Sequence, residues 1–274
     1  MKSIYSFVVD GDRRFTNQAG IFLKTLTAVG VRPCSIIAQV TPRATQDARD
    51  LIDSFDVTQI SLECVLDGAY CNKIGQLSAL LDLDADFVVL CDTDLAFLDD
   101  ISGLFDPRSI RAKPVDLPNP PIDILDTIRL ALGITSEPRL VPTDCDPYTQ
   151  TYSTNCNGGL YIIPRRFLAP LARHWFAETQ AIRNKIDLLK TWTMHSDQVG
   201  FAMTMLRLGL DIEPIPRDYN FPLHLSRRFR PLAVSIPKVL HYHHLIDGNG
   251  FIERVGNSVI DEAVDAVNLI LGRG

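Results

Sequence analysis

Short apolar segments alternate with amphipathic segments through the first hundred residues of the chain. Four segments are short, β-branched and apolar, as buried strands typically are: residues 4–9, 35–40, 60–65 and 87–91. Three segments between them space their apolar side chains as an α-helix does: residues 18–29, 45–55 and 72–83. The alternation predicts an α/β fold with a mostly parallel central sheet and helices on both of its faces.

The pattern is less regular in the second half of the chain. Eight of the seventeen prolines lie between residues 107 and 147, and we interpret residues 107–150 as a proline-rich excursion over the surface, interrupted by one helix at 122–132. Regular elements then resume: strands at 159–163 and 239–243, and helices at 165–181, 196–208 and 259–271. Because no internal repeat is visible in the 274 residues, we predict a single domain, 1–274, with a C-terminal helix in 259–274.

Composition narrows the range of partners. The net charge of -6 and the pI near 5.5 argue against a nucleic-acid partner, because binding phosphate backbones requires a basic surface. The sequence lacks the run of about 18 apolar residues that a transmembrane helix needs. Six cysteines without a CxxC pair predict free thiols in a reducing cytoplasm and not a zinc site. Peripheral attachment to a membrane and a homodimer are left open.

The pattern Asp-x-Asp occurs five times, so its position must decide which occurrence matters. Only the pairs at 10/12 and 92/94 follow a predicted strand, where a parallel sheet presents side chains to a ligand. The pairs at 82/84, 84/86 and 144/146 are interpreted as solvated turns.

Asp92-Thr93-Asp94 follows the apolar segment 87–91 directly. Two carboxylates at the edge of a buried strand repel each other unless a cation lies between them. Mg²⁺ and Mn²⁺ are held by carboxylates together with phosphate oxygens, and such an ion neutralises the charge on a departing diphosphate. The alternative is that these aspartates only cap a helix.

This segment resembles the DxD motif of glycosyltransferases with the Rossmann-like A-type (GT-A) fold, such as the glycogenin-like and bacterial nucleotide-sugar transferases. Further segments resemble the same family in the same order: Val8-Val9-Asp10-Gly11, Asn72-Lys73, Asn155-Cys156-Asn157-Gly158-Gly159, Ser196-Asp197-Gln198 and His241-Tyr242-His243. The resemblance implies a metal-dependent enzyme that uses Mn²⁺ or Mg²⁺ and a nucleoside diphosphate sugar, with UDP favoured. The acceptor would be a glycan, a lipid or a small molecule.

The resemblance also implies roles for individual residues. Asp92, Asp94 and His241 would bind the metal, and Asp197 with Gln198 would lie at the reacting sugar. The donor would contact Val9, Asp10, Gly11, Asn72, Lys73, Asp92, Thr93, Asp94, Asn157, Gly158, Gly159 and His243. The family's Gly-x-x-Lys-Pro-Trp segment is missing after His244, so the stereochemical outcome stays open, as does the choice among His241, His243 and His244 as the metal ligand.

Each of these residues also has a simpler interpretation. Lys73 opens a predicted helix, where lysines are commonly solvated. Asn157-Gly158-Gly159 could be a plain turn into a strand, and Asp197 could serve only to stabilise the first turn of a helix. The late histidines could be an ordinary structural cluster.

Three other functions compete with glycosyl transfer. A phosphatase of the haloacid-dehalogenase type would use Asp10 and Asp12, but Arg14 stands where that family has threonine or valine. A nucleotidyltransferase also uses paired acids and a metal, although Asp10-Gly11-Asp12-Arg13-Arg14 is a poor version of its glycine-rich loop. A binding module for nucleotide sugars or glycans would bind the donor without turnover.

Overall fold

The computed structural model describes residues 1–231, 233 and 235–272. In this part of the chain the strands are β1 (Ser3–Val9), β2 (Ile36–Val40), β3 (Thr58–Ser61), β4 (Phe87–Cys91), β5 (Leu95–Phe97), β6 (Ile110–Pro114), β7 (Leu140–Pro142), β8 (Gln150–Tyr152), β9 (Cys156–Pro164), β10 (Ile212–Pro214), β11 (Phe221–Pro222) and β12 (Val239–His241). The helices are α1 (Arg13–Ala28), α2 (Gln46–Asp53), α3 (Asn72–Leu80), α4 (Ile122–Ala131), α5 (Leu168–Arg183), α6 (Ser196–Arg207) and α7 (Ser258–Leu271).

A seven-stranded sheet in the order β10-β6-β9-β4-β1-β2-β3 forms the centre of the fold. Strands β4, β1, β2 and β3 are parallel to one another, and β9 runs antiparallel to both β4 and β6. Successive residues of β4 point to opposite faces: Phe87 and Val89 pack in one core with α1 and α2, whereas Val88 packs in the other with α3 and α5. The predicted α/β fold with a mostly parallel, doubly covered sheet is confirmed.

The proline-rich segment 107–150 is more ordered than the sequence indicated. Its residues Ile110–Pro114 form β6, which lies inside the central sheet between β9 and β10. The interpretation of the whole segment as a surface excursion is therefore wrong. The prolines obscured a five-residue strand whose apolar members, Ile110 and Ala112, are buried.

Other element boundaries also differ from the sequence prediction. The strand expected at 60–65 is β3, at Thr58–Ser61, and the strand expected at 239–243 ends at His241, after which His243 adopts a positive φ of 53°. The C-terminal helix is confirmed as α7, while residues 273–274 of the predicted segment 259–274 lie outside the described residues.

All six cysteines have free thiols, as expected, although Cys34 and Cys64 are exposed. Among the described helices, none has the length and apolar character needed to cross a bilayer.

Candidate functional site

A cavity of about 720 Å³ opens at the carboxyl ends of β1 and β4, where parallel strands present side chains to ligands. Most of the residues singled out from the sequence line it: Asp10, Gly11, Asn72, Lys73, Asp92, Thr93, Asp94, Asn157, Gly158, Asp197, Gln198, His241 and His243. Val9 does not line the cavity, because its side chain is fully buried in the hydrophobic core. Gly159 lies just behind the lining, against His241.

Asp94, His241 and His243 form a compact group in this cavity. Asp94 lies in the turn between β4 and β5, and β12 pairs antiparallel with β5 so that His241 stands opposite Leu95. His241 Nε2 lies 3.3 Å from Asp94 Oδ1, and His243 Nδ1 lies 3.4 Å from Asp94 Oδ2. One donor atom from each of the three side chains falls within 4.8 Å of the others, as binding of a single metal ion requires.

Two of the possible metal-ligand atoms in this group have no hydrogen-bond partner among the described residues. Asp94 Oδ1 and His241 Nε2 are both buried, and neither makes a hydrogen bond of good geometry with a described residue. Burial opposes the charge on Asp94, but His241 outweighs it and holds the pKa of Asp94 well below its usual range. Burial and the charge of His241 lower the pKa of His243 to about 2, so its imidazole is neutral. Carboxylate oxygen and neutral imidazole nitrogen fit a divalent ion such as Mn²⁺.

Asp92 is held by Lys73. Its Oδ1 lies 2.5 Å from Lys73 Nζ, which also donates a hydrogen bond to the carbonyl oxygen of Gly158 at 2.6 Å. Burial disfavours the Lys73 ammonium, but the carboxylates of Asp92 and Asp197 outweigh it and raise the pKa of Lys73. Lys73 is therefore a buried cation facing the cavity and not part of a solvated helix face. Asp92 is outside the group formed by Asp94, His241 and His243.

Asp197 and Gln198 lie in the first turn of α6, and both are buried. Burial raises the pKa of Asp197 to about 6, although the charge of Lys73 opposes this. Gln198 donates hydrogen bonds to the carbonyl oxygen of Asn119 at 2.8 Å and to Asn155 Oδ1 at 3.2 Å. These contacts fix the Gln198 amide beside Asp197 on the wall of the cavity.

The two members of the 10/12 pair have different roles. Asp12 is the N-cap of α1 and accepts a hydrogen bond from the backbone N–H of Arg14 at 2.9 Å. Asp10 accepts hydrogen bonds from Thr41 Oγ1 at 2.7 Å and from Arg43 Nε at 2.9 Å. Burial opposes the charge on Asp10, but Arg43 lowers its pKa. The carboxylate is thus already paired within the protein, and the Arg43 guanidinium reaches the cavity.

No family model and no curated protein matches the chain. Several solved structures do match it. The galactosyltransferase LgtC, in complex with donor and acceptor sugar analogues, is 13% identical, with a TM-score of 0.60 over 98% of this chain and 95% of that one. Mouse xyloside xylosyltransferase 1 is 11% identical, with a TM-score of 0.52 over 92% of this chain and 100% of that one. The chain has the A-type glycosyltransferase fold. GlyE of Streptococcus pneumoniae is also similar, at 14% identity and a TM-score of 0.55, over 98% of this chain and 63% of that one.

Within this A-type fold, sequence reasoning missed an ionic network beside the cavity. Lys113 is fully buried and pairs with Asp116 and, at 3.3 Å, with Asp144, which also accepts a hydrogen bond from Arg217 Nε at 2.9 Å. The interpretation of Asp144 as part of a solvated turn is therefore wrong. Asp116, Asp144 and Cys145 also place possible ligand atoms within 4.8 Å, but Lys113 and Arg217 already pair with the two acids.

Arg43 and His224 were missed as well. Arg43 follows β2 just as Asp10 follows β1, so the rule that ligands bind at the carboxyl ends of strands could have identified it. His224 lies with its ring centroid 3.8 Å from that of His243, and no sequence pattern marks it.

Proposed function

We propose that this protein is a metal-dependent glycosyltransferase. It would move a sugar from a nucleoside diphosphate sugar, with UDP favoured, to a glycan, lipid or small-molecule acceptor. The observation that most supports the proposal is the pair of buried atoms Asp94 Oδ1 and His241 Nε2, which have no hydrogen-bond partner of good geometry among the described residues. Both residues line the large cavity at the carboxyl edge of the sheet. The fold is shared with proteins named as a galactosyltransferase and a xylosyltransferase.

In this proposal Asp92, Asp94 and His241 hold Mn²⁺ or Mg²⁺, and His243 is the alternative nitrogen ligand. An imidazole ligand favours Mn²⁺ over Mg²⁺, which prefers oxygen ligands. When bound, the ion neutralises the charge that develops on the diphosphate leaving group. Asp94 supplies the anionic ligand. His241 would bind in its neutral form and add no negative charge. Burial disfavours its protonated form, but Asp94 outweighs burial and raises the pKa of His241, so the ion must compete with the proton on this imidazole.

Lys73 and Asp197 are two further charged groups of the cavity that would act on the donor. The Lys73 ammonium is fixed by Asp92 and by the carbonyl oxygen of Gly158, so it is oriented before a negatively charged donor arrives. Asp197 is ionised above about pH 6 and then accepts a hydrogen bond from a sugar hydroxyl or takes the proton of the acceptor hydroxyl. Gln198, held by Asn119 and Asn155, fixes the wall beside that carboxylate.

The proposal is tested first by binding. The thermal midpoint is measured with UDP-, GDP-, ADP- and dTDP-sugars, each with and without Mn²⁺, on the wild type and on Asp94→Asn. We expect one nucleotide to raise the midpoint only when Mn²⁺ is present, because ligands that bind the folded state stabilise it, and we expect the variant to lose this effect.

Product analysis then separates the competing functions. A glycosyltransferase releases the nucleoside diphosphate when acceptor or water takes the sugar. Release of pyrophosphate from a nucleoside triphosphate and a sugar phosphate would instead support nucleotidyl transfer. Donor binding without any nucleotide release, across a panel of glycan and lipid acceptors, would support a binding module.

A further inference from the structure

A row of hydrogen-bonded side-chain amides connects His241 with Asp116. His241 Nδ1 lies 3.0 Å from Asn220 Oδ1. Asn220 Nδ2 donates to Asn157 Oδ1 at 3.2 Å, and Asn157 Nδ2 donates to Asp116 Oδ2 at 2.6 Å. The row therefore connects the cavity-facing imidazole with the buried pair of Asp116 and Lys113.

The far end of the row fixes the direction of every hydrogen bond in it. An ionised carboxylate only accepts hydrogen bonds, so Asn157 must turn its NH₂ group toward Asp116. Burial opposes the charge on Asp116, but the Lys113 ammonium outweighs it and keeps the pKa of Asp116 low. The backbone N–H of Gly159 donates to Asn157 Oδ1 at 2.9 Å, which requires the same orientation.

The orientation of Asn157 then determines that of Asn220. Asn157 offers an oxygen, so Asn220 must present its NH₂ group there and its carbonyl oxygen to His241. Turning the Asn220 amide over would place oxygen against oxygen at Asn157. Asn220 is fully buried, so water cannot relieve that contact.

We propose that Asn220 is a positioning residue that keeps the proton of neutral His241 on Nδ1 and thereby leaves the Nε2 lone pair free for the metal ion. The proposal rests on the proposed function. Asn220 Oδ1 can only accept, so a hydrogen bond with it requires the Nδ1–H tautomer. Nε2 then turns its lone pair toward Asp94 Oδ1, 3.3 Å away. Without Asn220, the proton can move to Nε2. The Nε2–H group would then donate a hydrogen bond to the Asp94 carboxylate and could not bind a metal ion.

The tautomer is read directly by ¹⁵N NMR of the metal-free protein labelled in histidine, above the pH at which His241 becomes neutral. The His241 signals are assigned by their loss in His241→Gln. We expect the Nδ1–H pattern in the wild type, where Asn220 Oδ1 supplies the acceptor oxygen. We expect a shift toward Nε2–H in Asn220→Ala, which has none.

Metal affinity is measured on the wild type and on Asn220→Ala by counting free Mn²⁺ with EPR. We expect Asn220→Ala to bind Mn²⁺ about 10- to 100-fold more weakly, the usual effect of removing the partner of a ligating histidine. Far-ultraviolet circular dichroism establishes that each variant is folded.

Three results would overturn the inference in distinguishable ways. An Nε2–H pattern in the wild type contradicts the role of Asn220 even if Asn220→Ala fails to fold. Equal Mn²⁺ affinity in the wild type and a folded Asn220→Ala contradicts it as well. Failure of the wild type to bind Mn²⁺ at all, with the Nδ1–H pattern present, contradicts instead the metal site on which the inference rests.

Discussion

Gly159 lies directly against the imidazole of His241. A Cβ atom at Gly159 would come within 2.7 Å of His241 Cε1 and 2.8 Å of His241 Nδ1, closer than side-chain carbons ordinarily approach other atoms. Gly159 is in β9, which pairs with β4 immediately before Asp92, so the strand that adjoins the acidic motif must lack a side chain here. The hydrogen atom of glycine thus gives His241 room beside Asn220 and Asp94.

Gly159→Ala is therefore expected to displace His241 and to weaken Mn²⁺ binding by roughly tenfold or more, the scale on which contacts that orient a metal ligand act. The measurement is Mn²⁺ titration followed by EPR. Gly103→Ala is the matched control, because a Cβ atom there meets nothing within 4 Å and its φ is not positive. Equal affinities in the two variants would show that His241 does not depend on this space.

Asp197→Asn is expected to stabilise the metal-free protein at neutral pH while abolishing sugar transfer. Burial raises the pKa of Asp197 from 3.8 to about 6, so the folded state holds its proton more tightly than the unfolded chain does. Stability is then lost as the pH rises between these values, and the loss at pH 8 is about 3 kcal/mol.

The check is urea unfolding of wild type and variant at pH 4 and pH 8. The stabilisation should be present at pH 8 and nearly absent at pH 4. Asp123→Asn, which removes an exposed acid from the first turn of α4, should change stability by less than about 0.5 kcal/mol at both pH values. A pH-independent difference between wild type and Asp197→Asn would contradict the assigned pKa.

Arg43→Met should destabilise the protein by about 2 kcal/mol at pH 7, because it removes hydrogen bonds to a carboxylate that is only 9% exposed. The pKa of Asp10 is lowered in the folded state, so this stability is present at neutral pH and is lost as the pH falls through that lowered pKa. The matched control is Lys2→Met, which breaks a solvent-exposed pair with Asp84 and should leave the stability nearly unchanged. Equal losses of stability in the two variants at pH 7 would contradict the claim that burial strengthens the hydrogen bonds between Arg43 and Asp10.

Gly200→Ala should destabilise the packing of α6 on α5 by about 1–3 kcal/mol, because the new Cβ atom would lie 1.9 Å from Thr179 Oγ1. Since α6 holds Asp197 and Gln198, turnover should fall as well. Adding Thr179→Ala removes the closest clash and should restore part of the stability, which a double-mutant cycle by urea unfolding measures. If the two substitutions changed the free energy of unfolding additively, the predicted clash between residues 200 and 179 would be contradicted.

Much of the fold could be predicted because it depends on local patterns. The apolar segment 87–91 is β4 with unchanged boundaries, and its position explains why Asp92 and Asp94 line the cavity while Asp84 remains exposed. Strand β6 was missed because five residues among prolines give too weak a periodic signal. The antiparallel direction of β9 depends on pairing, which a single strand pattern does not contain.

The parts of the site that could not be predicted depend on contacts between distant positions. Asp10 and Arg43 are separated by 33 positions and Asn157 and Asn220 by 63, and neither pair forms a local motif. The strand expected at 239–243 would place His241 and His243 on the same face, because successive side chains of a strand alternate. They do converge on Asp94, but because the chain turns after His241 and not because the strand continues. Lys73 was expected to meet donor phosphates, and whether it does is still a prediction, since its observed partners are Asp92 and Gly158.

The central claim is that Asp94 and His241 hold a divalent cation that binds a nucleoside diphosphate. The most direct measurement is pulsed EPR of Mn²⁺ bound to the protein with UDP. We predict couplings to both the ³¹P nuclei of the diphosphate and an imidazole ¹⁴N nucleus, with the nitrogen coupling lost in His241→Gln and Mn²⁺ binding abolished in Asp94→Ala. A bound Mn²⁺ without imidazole coupling in the wild type, or unchanged binding in Asp94→Ala, would contradict the account.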